Sequence, residues 1–138
     1  MATEIKRLKI RSVLKFAEGD TDTEINETDT ECELSRRGDG LLVRYKEGEA
    51  SAECAVRIHY FGGALSVKRE GAVRSELKFK AGERLVGAYA VGAYEFDAEV
   101  YTKTLDFAEA DGIIALKLAY EMTLGGVLRN CEMQISLI

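Results

Sequence analysis

The sequence contains no proline, no tryptophan and only one histidine, His59. Because proline cannot donate a backbone hydrogen bond, its absence leaves every segment free to form continuous strands. No stretch approaches the run of about 18 apolar residues that a membrane helix needs. Residues 1–10 alternate charged and aliphatic side chains instead of forming the apolar core of a signal peptide. We therefore expect a small soluble protein without a leader or a membrane helix.

Familiar catalytic patterns are missing as well. The chain has no Gly-x-Ser-x-Gly nucleophile elbow and no phosphate loop ending in Lys-Ser/Thr. A single histidine excludes a metal site built from several imidazoles, and the parity of His59 against Ile58 and Tyr60 predicts a solvent-facing side chain. No pair of acids is singled out for acid–base chemistry. We predict no catalytic residue, no cofactor and no metal, which favours a role other than catalysis.

Cysteine occurs three times, at Cys32, Cys54 and Cys131. An odd number without paired spacing does not predict a disulfide framework. Each cysteine shares strand parity with apolar neighbours, which is typical of buried thiols. Free thiols fit a reducing compartment, so the sequence predicts a cytoplasmic location.

The formal net charge is −5, which disfavours nucleic acid and anionic membranes as partners. Much of the negative charge lies in the acid-rich segment Glu18–Glu33, which has eight acids and no base. One interpretation is a cation-binding loop, but the glycine-centred spacing of a calcium loop is absent. The favoured interpretation is a solvated edge strand that its charge protects from aggregation.

What the chain does have is alternation of apolar and polar residues, the pattern of half-buried strands. The alternation is cleanest over residues 113–124, 127–137 and 8–16, and shorter pieces continue it between them. Residues that tolerate positive φ separate the pieces, as tight hairpins require. These turns are Gly38-Asp39-Gly40, Gly62-Gly63, Ala110-Asp111-Gly112 and Gly125-Gly126. The pattern predicts an all-β, antiparallel up-and-down meander of about 8–10 strands in a single domain over residues 1–138.

So many strands in so short a chain would leave two long exposed edges if the sheet stayed flat. We therefore expect the meander to close into a barrel, although a sandwich is the alternative architecture. The interior of such a barrel is either filled by side chains or able to hold one small ligand.

Several elements from Gly40 onward carry a resemblance in their order and spacing. They are Val67–Val73, Phe79 with Gly82, Tyr89 followed by Gly92, Thr102, the Asp111-Gly112 turn and Tyr120. Together they resemble the YwiB-like family of uncharacterised bacterial β-barrel proteins, in the lipocalin-like (calycin) group. The resemblance implies a lipocalin-like barrel and no activity, because the family has none that could be carried over. The chain departs from the family pattern at Thr28-Asp29-Thr30 and at Ala90-Val91-Gly92, where the family more often has a glycine and a proline respectively.

Arg69 is the most informative single residue, because it follows Leu65 and Val67 on one strand face. An arginine on an inward face must be paired or hydrogen-bonded. One interpretation is a structural plug at the barrel end, bonded to carbonyls or to an acid such as Glu76 or Glu99. The other is an anchor for an anionic ligand in the barrel mouth.

Two functional hypotheses follow from the predicted barrel. The leading one is a non-enzymatic barrel that binds a small, partly apolar or anionic molecule, with Arg69, Tyr89, Thr102 and Tyr120 as ligand-binding candidates. The alternative is a structural or protein-interaction barrel with a filled core. Its partner would pair with the acid-rich part Asp22–Glu33 or with an exposed edge strand, in one version as a homodimer.

Overall fold

A computed structural model describes residues 3–16 and 23–138 of the chain. These residues form ten strands, with one short 3-10 turn at Ala50–Ala52 and no α-helix in the described ranges. The strands are β1 (Thr3–Phe16), β2 (Thr23–Arg37), β3 (Gly40–Glu47), β4 (Cys54–Phe61), β5 (Ala64–Gly71), β6 (Val73–Lys80), β7 (Arg84–Val91), β8 (Tyr94–Ala110), β9 (Ile113–Leu124) and β10 (Val127–Leu137).

Each strand pairs antiparallel with its neighbours in sequence, and β10 returns to pair with β1, so the barrel is closed. Sequential hairpins of this kind define an up-and-down barrel. The predicted all-β meander and its closure are therefore confirmed, with ten strands at the upper end of the expected count.

The core follows directly from the alternation in the sequence. On β9, Ile114, Leu116 and Leu118 are buried while the intervening Lys117 is exposed. Phe79 on β6 is fully buried. Burying a large apolar side chain contributes about 1.5–3 kcal/mol, so one face of every strand holds the barrel together and the other face is free to carry charge.

Two-residue turns set the register of several hairpins. Gly62 and Gly63 have φ values of 60° and 78°, and Asp111 and Gly112 have 54° and 77°. Two successive positive φ values are the signature of a type I′ turn, whose twist matches that of the strands it joins. The turns predicted at these positions are confirmed.

The β6–β7 hairpin is paired over only a short stretch, from Val73 to Glu76 against Ala88 to Val91. At Gly87 the backbones come so close that an added Cβ would lie 2.1 Å from the carbonyl oxygen of Glu76. Only glycine permits this approach. Beyond it, the β6–β7 turn bonds to β8 instead, since the Gly82 amide donates to the Thr102 carbonyl at 2.8 Å.

The described part of the acid-rich segment lies on β2. Residues 23–32 pair with β1 only, and pairing with β3 begins at Glu33. Acids of this stretch oppose the basic residues of β1, with ion pairs Arg7–Asp29 at 2.5 Å and Arg11–Glu27 at 3.7 Å. The predicted solvated edge strand is thus confirmed for residues 23–32. Glu18, Asp20 and Asp22 lie outside the described residues.

Candidate functional site

The inward face of β5 ends in a charge. Leu65 and Val67 are buried, and Arg69 follows them two residues before the strand ends at Gly71. Its Nε donates a hydrogen bond to Oε1 of Glu47 at 2.6 Å, and the two side chains are 24% and 27% exposed. Burial opposes the charge on Arg69, yet the charge and the hydrogen bond of Glu47 hold the pKa of the guanidinium above its ordinary value. The pair therefore stays ionised at the edge of the core.

The acid that pairs with Arg69 is neither of the two suggested from sequence. Glu76 lies on β6 opposite Lys68 in the outward-facing row, and Glu99 accepts a hydrogen bond from Arg84 at 2.7 Å. Glu47 is the partner because Leu41, Val43, Tyr45 and Glu47 share the inward face of β3, just as Leu65, Val67 and Arg69 share that of β5. This parity was available in the sequence, but the contact between β3 and β5 across β4 was not.

Two buried hydroxyls belong to the same end of the barrel. Tyr45 lies two residues before Glu47 on β3, and Ser75 lies directly opposite Arg69 on β6. Neither Tyr45 Oη nor Ser75 Oγ has a hydrogen-bond partner among the described residues. Burial raises the pKa of Tyr45, the negative charge of Glu47 raises it further, and Arg69 acts in the opposite direction. Both hydroxyls are therefore neutral donors with unused hydrogen-bonding capacity.

Tyr120 is a further buried residue with a hydroxyl group, and it lies on the inward face of β9. It lies on β9 between Thr102 of β8 and Cys131 of β10, and its ring meets that of Phe79 edge to face at 4.8 Å. Burial raises the pKa of Tyr120, and the positive charge of Arg69 lowers it in part. Burial also raises the pKa of Cys131 to about 11. The hydroxyl of Thr102 is buried without a partner in the described structure.

Tyr89 completes the set predicted from sequence. It lies on β7 between Ser75 and Phe96, is partly buried, and packs against the core. All four predicted residues therefore face inward. Arg69 and Tyr89 flank Ser75 across three strands, while Thr102 and Tyr120 are direct neighbours deeper in the barrel. Glu47, Tyr45 and Ser75 are the members that sequence reasoning did not include.

Open space beside Arg69 lies at the barrel wall. A concavity of about 730 Å³ crosses β5 to β8. Outward-facing residues of these strands line it, among them Lys68, Glu70, Arg74, Glu95 and Asp97, and Arg69, Ser75, Tyr89 and Phe96 line it from the positions between them. On the inner side of this wall, the barrel is packed with buried apolar side chains. A molecule that uses Arg69 would therefore enter only the end of the barrel.

The structure also shows where the histidine and the three cysteines lie. His59 is exposed on the outer face of β4, as its parity predicts. Cys32, Cys54 and Cys131 are free and buried, also as predicted. Cys54 is held in place by the backbone of Val73, whose amide donates to Sγ at 3.4 Å.

Comparison with known proteins now places the chain. Residues 8–135 match the domain of unknown function DUF1934. The chain belongs to this family. The crystal structure of the ywiB protein from Bacillus subtilis is similar to the DUF1934 barrel described here, with a TM-score of 0.81 and 20% sequence identity over 96% of this chain and 91% of that one. The resemblance to YwiB-like proteins is thereby confirmed, and at this identity the structural likeness concerns the fold alone.

No functionally curated protein matches this DUF1934 chain. In the part of the chain that the structure describes, no helix has the length and apolar character needed to cross a membrane.

Proposed function

We propose that this DUF1934 barrel binds a small molecule with an anionic group, and that Arg69 anchors that group. The observation that carries the proposal is the set of unused donors around one half-buried guanidinium. Nε of Arg69 donates a hydrogen bond to Glu47, while its two Nη groups form no hydrogen bond with a described residue. The neighbouring hydroxyls of Tyr45 and Ser75 are buried and equally unpartnered. Buried polar groups are normally satisfied, so a cluster of exceptions is a reason to expect a ligand.

The surroundings also limit what the ligand looks like. A carboxylate or phosphate matches the fork of two Nη groups. On the strands that follow Arg69 around the wall, the partly buried side chains of Val73 and Tyr89 offer apolar contacts, and Phe96, the register partner of Tyr89, is 41% exposed. The proposed ligand is therefore a small amphipathic anion whose charged end lies at Arg69 and whose apolar part covers these residues. Thr102 and Tyr120 lie deeper, as candidates for contact with a part that enters the barrel.

We propose binding without catalysis. The only histidine of the chain faces solvent on β4, so no imidazole is available beside Arg69. Burial raises the pKa values of Tyr45 and Tyr120, which keeps both phenols protonated and makes them poor general bases. The three free, buried thiols support a reducing, cytoplasmic location.

The first test is native mass spectrometry of the protein purified from its own host, compared with the same sample after denaturation. We expect an adduct that appears only in the native spectrum and that is lost in Arg69→Met. The matched control is Arg84→Met, because Arg84 also pairs with a glutamate but lies on the outer surface. A series of straight-chain carboxylates from acetate to octanoate, titrated by calorimetry, measures the apolar contribution. Equal retention of the adduct by both variants would reject Arg69 as the anchor.

A second candidate function rests on the free edge of β2. Residues 23–32 bond to β1 alone, and Ile25 within this stretch is 51% exposed. An unpaired strand edge is a template for strand addition by a partner or by a second copy of the chain. This protein-interaction barrel predicts a concentration-dependent dimer or a captured partner, and no small-molecule adduct. Light scattering across a concentration series distinguishes it from the ligand-binding proposal.

A further inference from the structure

The outer face of the barrel carries a row of like charges. Arg44 on β3 lies directly opposite Arg57 on β4, and Arg57 lies directly opposite Lys68 on β5. All three side chains are exposed. Like charges placed opposite one another on adjacent strands destabilise a sheet. A chain with a net charge of −5 has acids to spare, so this basic row is not a consequence of overall composition.

Most arginines of this protein are paired with an acid, and those of the basic row are not. Six of the ten arginines form an ion pair with a described residue: Arg7, Arg11, Arg36, Arg69, Arg74 and Arg84. The four that do not are Arg37, Arg44, Arg57 and Arg129. Glu33 is the register partner of Arg44, yet it forms no ion pair with it. Lys68 contacts Glu70 at 3.2 Å and is the one neutralised member of the row.

Three of those four arginines line a single concavity. Arg37, Arg44 and Arg57 surround a space of about 300 Å³ together with Lys68, His59 and Ser66. No acid among residues 3–16 and 23–138 lines this space. The guanidinium groups supply planar forks that match phosphate oxygens, and Ser66 and His59 add further hydrogen-bond donors. The same concavity would suit a cation poorly, because it contains no anionic ligand.

The width of the row indicates the size of the anion. Neighbouring strands lie about 4.8 Å apart, so Arg44, Arg57 and Lys68 span roughly 10 Å across three strands. A single phosphate group reaches only part of that width, whereas a chain of phosphates can contact all three cations. We propose that this outer face binds a small molecule that carries a linear chain of two or more phosphate groups. The site is separate from Arg69, which lies on the inner face of the same strand.

The test uses inorganic tripolyphosphate as the probe, followed by thermal unfolding and calorimetry at low ionic strength in a buffer free of phosphate. Tripolyphosphate raises the unfolding temperature of the wild type and binds more tightly than inorganic phosphate. Arg57→Gln weakens binding by about tenfold or more, because it removes the central fork of the row. Arg84→Gln is the matched control and leaves binding unchanged, since Arg84 lies outside the concavity and is paired with Glu99. Arg57→Gln weakens binding to the same extent in an Arg69→Met background, which separates this proposal from the one for the barrel end.

Four further outcomes decide the proposal and the kind of phosphate compound that binds. Equal binding of tripolyphosphate and a nucleoside triphosphate supports recognition of the phosphate chain alone, and tighter binding of the nucleotide supports recognition of a base as well. Absence of a tripolyphosphate effect on the wild type overturns the proposal. So does an oligothymidylate that binds much more tightly and displaces tripolyphosphate, because the face would then be a nucleic-acid surface. Arg57→Gln is expected to fold, since it relieves repulsion, and Arg44→Gln provides a second variant with the same expected loss.

Discussion

Lys68 and Arg69 are consecutive residues of β5, yet they face opposite sides of the barrel wall. Arg69 points inward, pairs with Glu47 and is surrounded by buried hydroxyls. Lys68 points outward into a row in which two exposed arginines have no acid partner among the described residues. The inner charge is neutralised because burial makes an unpaired ion costly. The outer charges are left unpaired because water screens them, so charge can accumulate there without unfolding the barrel.

The largest expected effect concerns the apolar part of the inner face. Phe79→Ala removes a fully buried ring that also packs edge to face against Tyr120. We expect it to lower the free energy of unfolding by about 3–5 kcal/mol, measured by urea denaturation. The control is Phe61→Ala, because Phe61 is 57% exposed on the outer face of β4. Similar losses in both variants would mean that the inner and outer faces do not differ in the way the structure indicates.

The next prediction compares an inner ion pair with an outer one. Glu47→Ala leaves the half-buried Arg69 without its partner, and we expect a loss of about 1–3 kcal/mol in the free energy of unfolding. Glu99→Ala breaks a pair of similar length, with Arg84, on the exposed face. That change is expected to cost less than about 1 kcal/mol, because solvent already stabilises both groups. Adding Arg69→Met to Glu47→Ala should recover part of the loss, and a double variant that is less stable than Glu47→Ala would contradict this account.

A third prediction uses pH to report on the buried thiol of Cys131. Its folded-state pKa is raised to about 11, so the unfolded chain releases this proton at lower pH than the folded chain does. The corresponding stability is complete below the unfolded pKa of about 8.5 and is lost as the pH rises through the folded pKa. We expect a decrease of about 2–3 kcal/mol between pH 8 and pH 11 that is specific to this group. Urea denaturation of Cys131→Ala should show a smaller decrease over the same range, and an identical decrease would show that Cys131 is not protected from ionisation.

The fold could be predicted from the sequence, and so could the side of the wall that each charged residue faces. Both depend on local rules. Alternation gives the inward face of each strand, and two-residue turns give the register of several hairpins. The turn at Gly62-Gly63 alone places Arg57 opposite Lys68. The inward position of Arg69 follows from the same parity, as do the buried cysteines.

The sequence does not reveal contacts between strands whose register depends on an irregular connection. Glu47 on β3 reaches Arg69 on β5 across β4, because Glu47 lies opposite Cys54 and Cys54 lies opposite Gly71, two residues beyond Arg69. Arg44 meets Arg57 only because residues 48–53, with their 3-10 turn, set the register of β3 against β4. The concavity lined by arginines therefore became visible only when three strands were placed side by side.

The smallest expected effect on the free energy of unfolding comes from the basic row, and it is a stabilisation instead of a loss. Arg57→Gln relieves repulsion from both Arg44 and Lys68, so it should raise the free energy of unfolding by about 0.2–1 kcal/mol in the absence of a bound anion. Arg7→Gln is the matched control, because Arg7 is an exposed strand residue that does have an acid partner, Asp29, and its loss should be slightly destabilising. Both differences should shrink in about 1 M salt, where the Debye length is only about 3 Å. A protein that keeps a destabilising arginine on its surface is using it for something other than folding, so a loss of stability in Arg57→Gln would remove the physical reason for assigning a ligand to this face.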